Sequence, residues 1–392
     1  MNPSRVFQGD ARVATMTRLD GGIRFEYDPD VALARGRLST AIGPEPRSFT
    51  ESEPAPFFLN LLPEGARLEM LLDSARSRDD ALELLNRVGW DTVGDVAVIP
   101  GDDGPTGVAR AFEGELRDAS FWDLFYGDRV MGDDAALPGV QEKISAATVA
   151  FGVRLRHVPS AILKLSPKRF PRLVENEMFW LRVAARAGLD VNRAKVVTDR
   201  HGERGLLVTR FDRQVQGGKV VKRHQEDGCQ LLNVAPALKY RVTYQRLVQA
   251  VSQFADAPKL AALRAMQLYT FSYAIGNGDL HAKNVSLLWA DTVRVSPLYD
   301  LLSTAPYALD DRMALPLFGK DDRFSARFLV ESGVRLGVSE LAMRRAVGKI
   351  VQAVTEALGR VDEIGLDEDS TAKMVRLIES RLRRLQTDDE TG

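Results

Sequence analysis

The sequence predicts an α+β protein with a sheet-rich middle region and a mostly helical C-terminal region. Between Val140 and Phe211, short strand-like runs surround a single helix-like run, Leu173–Gly188. After Thr243, long segments carry apolar residues at helical spacing. A chain of 392 residues is too long for one small core, so we expect two or three domains.

The composition is that of an ordinary globular protein, with 45% hydrophobic and 27% charged residues and a net charge of −1. This balance gives no global field that would attract nucleic acid or a membrane surface. The single Cys229 excludes an intrachain disulfide framework and a cysteine-rich zinc site. No secretory signal or membrane span is recognisable. We therefore expect a protein of the reducing cytoplasm.

The first hundred residues are predicted to form a small α+β unit. Strands are expected at Gly22–Tyr27, at Ala32–Leu38 and in the apolar run before Pro100, and helices at Gly65–Ala75 and Arg78–Val88. The segment GDDGPTG (101–107) is the clearest linker signal in the chain. It places the boundary of an N-terminal subdomain, residues 1–105.

The middle of the chain contains strands on both sides of one helix. After a short helix at Phe121–Tyr126, strands are predicted at Val140–Val149, Val153–Arg156, Ala161–Leu165, Lys195–Thr198 and Gly205–Phe211, with the helix Leu173–Gly188 between the third and the fourth. This is the layout of the N-terminal lobe of a protein kinase, whose nucleotide lies between a sheet and a helical lobe. The pattern predicts a protein-kinase-like two-lobed fold, with an N-lobe at 106–240 and a helical C-lobe at 241–392.

Two polar segments of the C-lobe carry the functional signal, NGDLHAKN (277–284) and PLYDLLS (297–303). A helix-like run, Leu260–Ile275, precedes the first, and a hairpin of two short strands separates it from the second. Phosphoryl transfer needs an Asp that orients the attacking hydroxyl, for which Asp279 is the candidate, and oxygen ligands for Mg²⁺, for which Asn284 and Asp300 are the candidates. Taken alone, the Asp-to-Asn spacing also fits an ordinary polar turn. The order of the surrounding elements favours the kinase interpretation.

A kinase also needs a cation on the ATP phosphates and a carboxylate that holds this cation. Lys164 lies in the apolar strand AILKL, where an unpaired lysine would be costly to bury. A lysine that reaches water from an edge strand is the alternative. The following helix offers Glu175 and Glu177, and we favour Glu177. The candidate loop over the phosphates is ALPGVQEKIS (136–145), in which Gly139 permits close approach of the backbone and Lys143 adds charge.

The segment LLVTRFDR (206–213) occupies the place of the hinge between kinase lobes. Backbone groups of Thr209 and Phe211 are predicted to bind the adenine edge, and Asp212 is predicted to reach the ribose. A solvated charge cluster at 210–213 is an equally good interpretation of the composition. His224 and Cys229 in HQEDGCQ (224–230) are too few soft ligands to predict a metal site.

These segments together resemble the HipA-type Ser/Thr kinases, the toxins of bacterial toxin–antitoxin pairs. The matching segments are FFLNLLPEG (57–65), VGWDTVGDVAVIP (88–100), LPGVQEK (137–143), ILKL (162–165), ENE (175–177), RFDR (210–213), HQEDGCQ (224–230), NGDLHAKN (277–284) and PLYDLLS (297–303). Each segment is weakly specific, whereas their number and order are highly specific. The resemblance covers nearly the whole chain.

The resemblance implies a role for each candidate residue. Asp279 would be the catalytic base, supported by His281, while Asn284 and Asp300 would bind Mg²⁺. Lys164 would bind the ATP phosphates. The phosphate-covering loop would consist of Gly139, Val140, Gln141, Glu142 and Lys143. One departure stands out: where many relatives carry a serine that the kinase phosphorylates to inactivate itself, this chain has Ala136.

The resemblance also implies a biological setting. Such kinases phosphorylate Ser or Thr of a protein, typically an aminoacyl-tRNA synthetase, which arrests growth. Their usual partner is a small helix-turn-helix antitoxin that binds operator DNA, so contact with DNA would be indirect. The alternatives are a catalytically idle partner of an antitoxin, a small-molecule phosphotransferase, and a metal-dependent hydrolase built on Asp279 and His281. The complete set of kinase residues disfavours the idle partner, and the N-terminal subdomain disfavours the second alternative.

Overall fold

The computed structural model describes residues 3–33, 36–74, 80–101, 115–126, 149–155, 158–217, 219–307 and 311–386. The predicted phosphate loop, 136–145, and most of the predicted strand Val140–Val149 lie outside these residues. So does most of the predicted linker, 101–107.

The N-terminal subdomain is an antiparallel five-stranded sheet covered by short helices. Its strands are β1 (Ser4–Gln8), β2 (Ala11–Leu19), β3 (Gly22–Tyr27), β4 (Ser48–Glu51) and β5 (Val96–Pro100), in the order β4-β3-β2-β1-β5. Its helices are α1 (Pro56–Leu59), α2 (Gly65–Ser74) and α3 (Ala81–Val88). Residues alternate between buried and exposed along β3, and the buried side includes Phe25, which packs on Phe58 of α1. The predicted elements of this unit are therefore present, with one exception.

The exception is the predicted strand Ala32–Leu38, which is wrong. Its described residues belong to no strand. The edge of β3 is instead paired with β4, where Phe25 lies opposite Phe49. Gly36 has a left-handed φ of 66°, and the amide of Leu38 donates to the carbonyl of Ile42 in a local turn. The apolar side chain of Leu38 is nevertheless buried, in the core of the N-terminal subdomain.

A second antiparallel sheet forms the N-lobe. It contains β6 (Val149–Leu155), β7 (Val158–Leu165), β8 (Ala194–Thr198) and β9 (Arg204–Thr209), in the order β6-β7-β9-β8. The short helix α4 (Phe121–Tyr126) packs on it, and α5 (Leu173–Arg186) connects β7 to β8. The buried residues of α5 include Trp180, which is fully buried. This arrangement sets Lys164 of β7 opposite the inner face of α5.

The C-lobe is built around one almost completely buried helix. After the hairpin β10 (Arg213–Gln216) and β11 (Lys219–Lys222), the chain forms β12 (Gln225–Asp227), α6 (Gly228–Leu231), α7 (Tyr244–Phe254) and α8 (Pro258–Ile275). The strands β13 (Ser286–Trp289) and β14 (Val293–Val295) complete a three-stranded sheet with β12. The helices α9 (Ala326–Arg335), α10 (Glu340–Leu358) and α11 (Glu368–Gln386) surround α8. No helix among the described residues is long and apolar enough to span a membrane.

Candidate active site

The loop that carries Asp279 follows directly from the end of the central helix α8. Gly276 terminates α8 with a φ of 75°, a left-handed conformation that turns the chain away from the helix axis. A Cβ atom there would lie 2.9 Å from Leu377 and 3.2 Å from the Ser303 hydroxyl, so the close packing also favours glycine. The loop then passes through a single 3-10 turn, Ala282–Asn284, into β13. The helix end and the strand start thus fix both ends of the loop.

Asp279 lies half-buried in this loop and is held by two neighbours. The hydroxyl of Tyr240 donates a hydrogen bond of 2.6 Å to Oδ1 of Asp279. The backbone amide of Asp279 donates to the side-chain oxygen of Asn277 at 3.1 Å. A carboxylate oriented in this way can accept a proton from a hydroxyl that enters the cleft.

His281 lies behind this carboxylate. It is 3% exposed, and its ring packs edge-on against Tyr240 with the centroids 5.1 Å apart. Tyr240 is the side chain that donates to Asp279. This geometry suits the predicted supporting role of His281, because the imidazole holds the residue that orients Asp279.

Asn284 and Asp300 meet at the base of the cleft. The side-chain amide of Asn284 donates to Oδ2 of Asp300 at 2.9 Å, and its oxygen accepts from the backbone amide of His281 at 2.9 Å. Asp300 has a φ of 55°, a conformation that Asp tolerates better than most residues. Such backbone strain often occurs at functional sites.

Lys164 connects this pair to the N-lobe. Its ammonium contacts both carboxylate oxygens of Glu177, at 2.8 and 2.9 Å, and also Oδ1 of Asp300. Burial would lower the pKa of Lys164, but the charges of Asp300 and Glu177 and their hydrogen bonds outweigh it, so the pKa lies above its usual value. The expected ion pair between the strand lysine and Glu177 is thus present. Glu175 points elsewhere and pairs with Arg172 and Arg204, each at 3.3 Å.

The donor set at Asn284 and Asp300 fits Mg²⁺. Both side chains offer hard oxygen atoms, and Mg²⁺ in nucleotide sites commonly takes one or two protein ligands and completes its shell with phosphates and water. Among the described residues, no group of three or more His, Cys, Asp or Glu side chains is placed to hold a metal ion. A metal-dependent hydrolase built on Asp279 and His281 would need such an all-protein metal centre, and the described residues do not offer one.

The segment after β9 departs from the sequence prediction at one residue. Thr209 and Phe211 border the cleft, as the hinge interpretation requires. Asp212 also borders it, but its side chain is 3% exposed and both of its oxygens accept hydrogen bonds from protein. Arg210 donates to Oδ1 at 3.1 Å and to Oδ2 at 2.8 Å, while Arg213 and the amide of Gly94 donate to Oδ2 at 2.7 and 2.9 Å.

These contacts argue against the predicted ribose contact of Asp212. The carboxylate accepts four hydrogen bonds from protein donors, three at Oδ2 and one at Oδ1, so it is held by the two arginines and the Gly94 amide rather than directed at a ribose hydroxyl. They also argue against the solvated charge cluster, since Arg210 and Arg213 are buried. The burial of Asp212 opposes the charges of Arg210 and Arg213, which nevertheless hold its pKa down at about 2. Asp212 is therefore a structural residue that ties the hinge to the N-terminal subdomain.

A cavity of about 610 Å³ joins these groups, a volume typical of small-molecule sites. Both lobes and the N-terminal subdomain line it. Its lining includes Lys164, Thr209, Asp279, Asn284 and Asp300. Three polar residues of this region were not predicted from the sequence: Asn60, Tyr240 and Tyr299. Asn60 and Tyr299 lie in segments that had been singled out, FFLNLLPEG and PLYDLLS, but without a role of their own, whereas Tyr240 lies in neither and reaches Asp279 only through the fold.

The two-lobed fold, with a lysine–glutamate pair between sheet and helix and a polar loop in the helical lobe, is that of a protein kinase. The chain matches the family models of the HipA N-terminal domain over residues 4–99 and the HipA-like C-terminal domain over residues 135–358. The chain therefore belongs to the HipA family of protein kinases, which confirms the resemblance noted in the sequence.

Individual relatives agree with this assignment. The putative kinase Y4mE of Sinorhizobium fredii is 32% identical over 356 residues, 83% of each chain. The serine/threonine-protein kinase toxin HipA of Shewanella oneidensis is 26% identical over 362 residues, 82% of this chain and 81% of that protein. A solved complex of HipA, HipB and operator DNA from Shewanella oneidensis contains a chain that superposes with a TM-score of 0.77 at 23% identity, covering 98% of this chain and 97% of the other. This superposition confirms the fold.

Proposed function

We propose that this chain is an ATP- and Mg²⁺-dependent serine/threonine protein kinase that transfers the γ-phosphate of ATP to a hydroxyl of a protein target. The observation that carries the proposal is the meeting of Lys164, Asp279, Asn284 and Asp300 in one cavity. The segments that supply them are far apart in the chain and come from both lobes. A structural explanation of any one of these residues does not explain their convergence.

The proposal gives each candidate residue one task in the reaction. Lys164, held by Glu177, binds the ATP phosphates, and the loop Gly139–Lys143 covers them. Backbone groups of Thr209 and Phe211 bind the adenine edge. Asp279, oriented by Tyr240, accepts the proton of the attacking hydroxyl. Asn284 and Asp300 hold Mg²⁺, which neutralises phosphate charge when bound.

The biological part of the proposal rests on the family. We infer that the target is an aminoacyl-tRNA synthetase, that its modification arrests growth, and that the site of action is the cytoplasm. We further infer a helix-turn-helix antitoxin as partner, with DNA contacted through it. The HipA of Shewanella oneidensis, solved with HipB and operator DNA, supports this partner.

Labelled ATP, Mg²⁺ and a bacterial lysate test the proposal. The purified chain should label one protein band, and Asp279→Asn should not. Label that appears only in a small-molecule fraction would favour a small-molecule phosphotransferase. A folded chain that binds ATP but labels nothing would favour a catalytically idle partner of an antitoxin.

A further inference from the structure

Two segments remain without a function, FFLNLLPEG (57–65) of the N-terminal subdomain and HQEDGCQ (224–230) of the C-terminal region. The structure brings both to the back of the catalytic loop. They meet at the side chain of Lys283, which precedes the candidate metal ligand Asn284 in the chain. Lys283 was not assigned a role by the site geometry described above.

The ammonium group of Lys283 is enclosed by acceptors. It donates to the carbonyl of Asn60 at 3.2 Å, to Oδ1 of Asn60 at 3.0 Å and to Oδ2 of Asp227 at 2.5 Å. The side chains of Lys283 and Asp227 are only 11% and 12% exposed. An ammonium has three protons, so these three acceptors satisfy it completely. Lys283 borders the cavity, but its ammonium group is held in place by two other parts of the chain.

The acceptors are themselves fixed. Asn60 ends helix α1, and its side-chain amide donates to the carbonyls of Pro56 at 2.8 Å and Val234 at 2.9 Å. Asp227 caps helix α6 in a reciprocal pair of hydrogen bonds with Gln230. Gln230 in turn donates to the carbonyl of Phe57 at 3.1 Å. The two unexplained segments therefore form one hydrogen-bonded unit around the lysine.

The backbone of Lys283 is tied to the metal-binding segment. Its carbonyl accepts a hydrogen bond of 2.7 Å from the hydroxyl of Tyr299, the residue before Asp300. The same hydroxyl lies 2.7 Å from the Ser286 hydroxyl at the start of β13. Lys283 thus connects the N-terminal subdomain on one side with both candidate metal ligands on the other.

A second contact from the same segment is linked to Asp279 through Lys239 and Tyr240. Glu64 pairs with Lys239 at 3.1 Å, and the carbonyl of Lys239 accepts from the amide of Ala282 at 3.1 Å. The next residue is Tyr240, which donates to Asp279. The segment 57–65 therefore contacts the supports of the base as well as those of the metal ligands.

We propose that the segment 57–65 of the N-terminal subdomain positions the catalytic loop, with Asn60 and Asp227 clamping Lys283 so that Asn284 and Asp279 are held in reactive geometry. This deepens the proposed kinase function and rests on it. Asn60, Asp227 and Lys283 are positioning residues, since they act through the residues that contact substrate. The expected consequence is a loss of turnover that exceeds any loss of ATP binding, because small displacements of catalytic groups are costly in rate.

A matched pair of substitutions at Asn60 tests the clamp in the full chain. Asn60→Ala and Asn60→Asp both remove the bonds to Pro56 and Val234, but only Asn60→Asp keeps an oxygen that can accept from Lys283. We expect Asn60→Ala to lower kcat by about tenfold or more with little change in KM for ATP. Asn60→Asp should retain kcat within about threefold of the wild type, and hydrogen exchange of residues 277–289 should accelerate in Asn60→Ala alone.

The contrary outcomes are distinct. Equal losses of kcat in both variants, with a matching fall in the thermal midpoint, would show that Asn60 only stabilises the fold. That result would overturn the clamp. Wild-type kcat in Asn60→Ala would overturn it as well. If the wild-type chain transferred no phosphate under any condition, the proposed function would fail. Hydrogen exchange of residues 277–289 would then test the clamp separately. An unchanged exchange rate in Asn60→Ala would refute the clamp without reference to activity.

Discussion

Replacing Asp212 by Asn should destabilise the fold without weakening ATP binding by the folded protein. The carboxylate is buried and accepts four hydrogen bonds from Arg210, Arg213 and the amide of Gly94. Asp91 provides a second carboxylate to the same two guanidinium groups, at 3.1 and 2.9 Å. Asparagine has nearly the same shape, so the substitution removes the charge and leaves the volume unchanged.

The expected loss of folding stability in Asp212→Asn follows from the pKa of Asp212 and from the charges buried around it. The arginines lower the pKa of Asp212 from 3.8 to about 2 against the effect of burial, and a shift of nearly two units corresponds to about 2–3 kcal/mol of stability. Breaking a buried pair also leaves uncompensated charge, which raises the expected loss to about 3–5 kcal/mol. Because the folded pKa is depressed, this stabilisation is fully present above pH 3.8 and is lost as the pH falls towards 2.

Urea unfolding at neutral pH measures the loss, and Asp123→Asn is the matched control. Asp123 also pairs with an arginine, Arg200, at 3.0 Å, but their side chains are 69% and 52% exposed, so its substitution should cost less than about 1 kcal/mol. Titration with ATP then distinguishes a structural role of Asp212 from a contact with the ribose. Unchanged stability together with a clear loss of ATP affinity in Asp212→Asn would restore the ribose contact and refute the structural assignment.

Three further predictions concern other residues of the site and of the fold. Asn284→Ala and Asp300→Ala should weaken ATP binding by about tenfold or more with Mg²⁺ present and much less without it; an equal loss in both conditions would make them structural. Burial, with repulsion from neighbouring arginines, lowers the pKa of Lys222 from 10.5 to about 8, so the unfolded chain binds more protons between these values and stability should rise with pH there. Lys222→Met should flatten that rise in thermal unfolding, and an unchanged slope would contradict the assignment. Overproduction should arrest bacterial growth and Lys164→Ala should relieve the arrest; equal toxicity of that variant would separate toxicity from phosphoryl transfer.

The fold was largely predictable because its elements are set by local patterns. The run that became β3 alternates between buried and exposed residues, and α8 is apolar along most of its length because the C-lobe packs around it. The prediction of a strand at Ala32–Leu38 was wrong for a non-local reason. Its apolar residues resemble those of a strand, but Ser48–Glu51 pairs with the edge of β3 instead.

The site was predictable where one segment or a simple geometric rule defined it. Glu177 was preferred over Glu175, and the helix period explains why the two diverge: residues two positions apart point to nearly opposite sides of a helix. The burial of Asp212 was not predictable, because its partner Gly94 lies 118 positions away in the chain. The same holds for Tyr240, which reaches Asp279 over 39 positions. The roles of residues 139–143 remain predictions from sequence.

Phosphoryl transfer by Asp279→Asn, compared with the wild-type chain, shows whether the loop 277–284 is the catalytic centre of a kinase. Both proteins are incubated with labelled ATP, Mg²⁺ and lysate, and folding is checked by thermal unfolding. We expect one labelled protein with the wild type and a rate about 10²–10⁴-fold lower for the variant, with ATP affinity retained, because only the proton acceptor has been removed. A folded Asp279→Asn that labels the same protein at the wild-type rate would contradict the assignment of this loop as the catalytic centre.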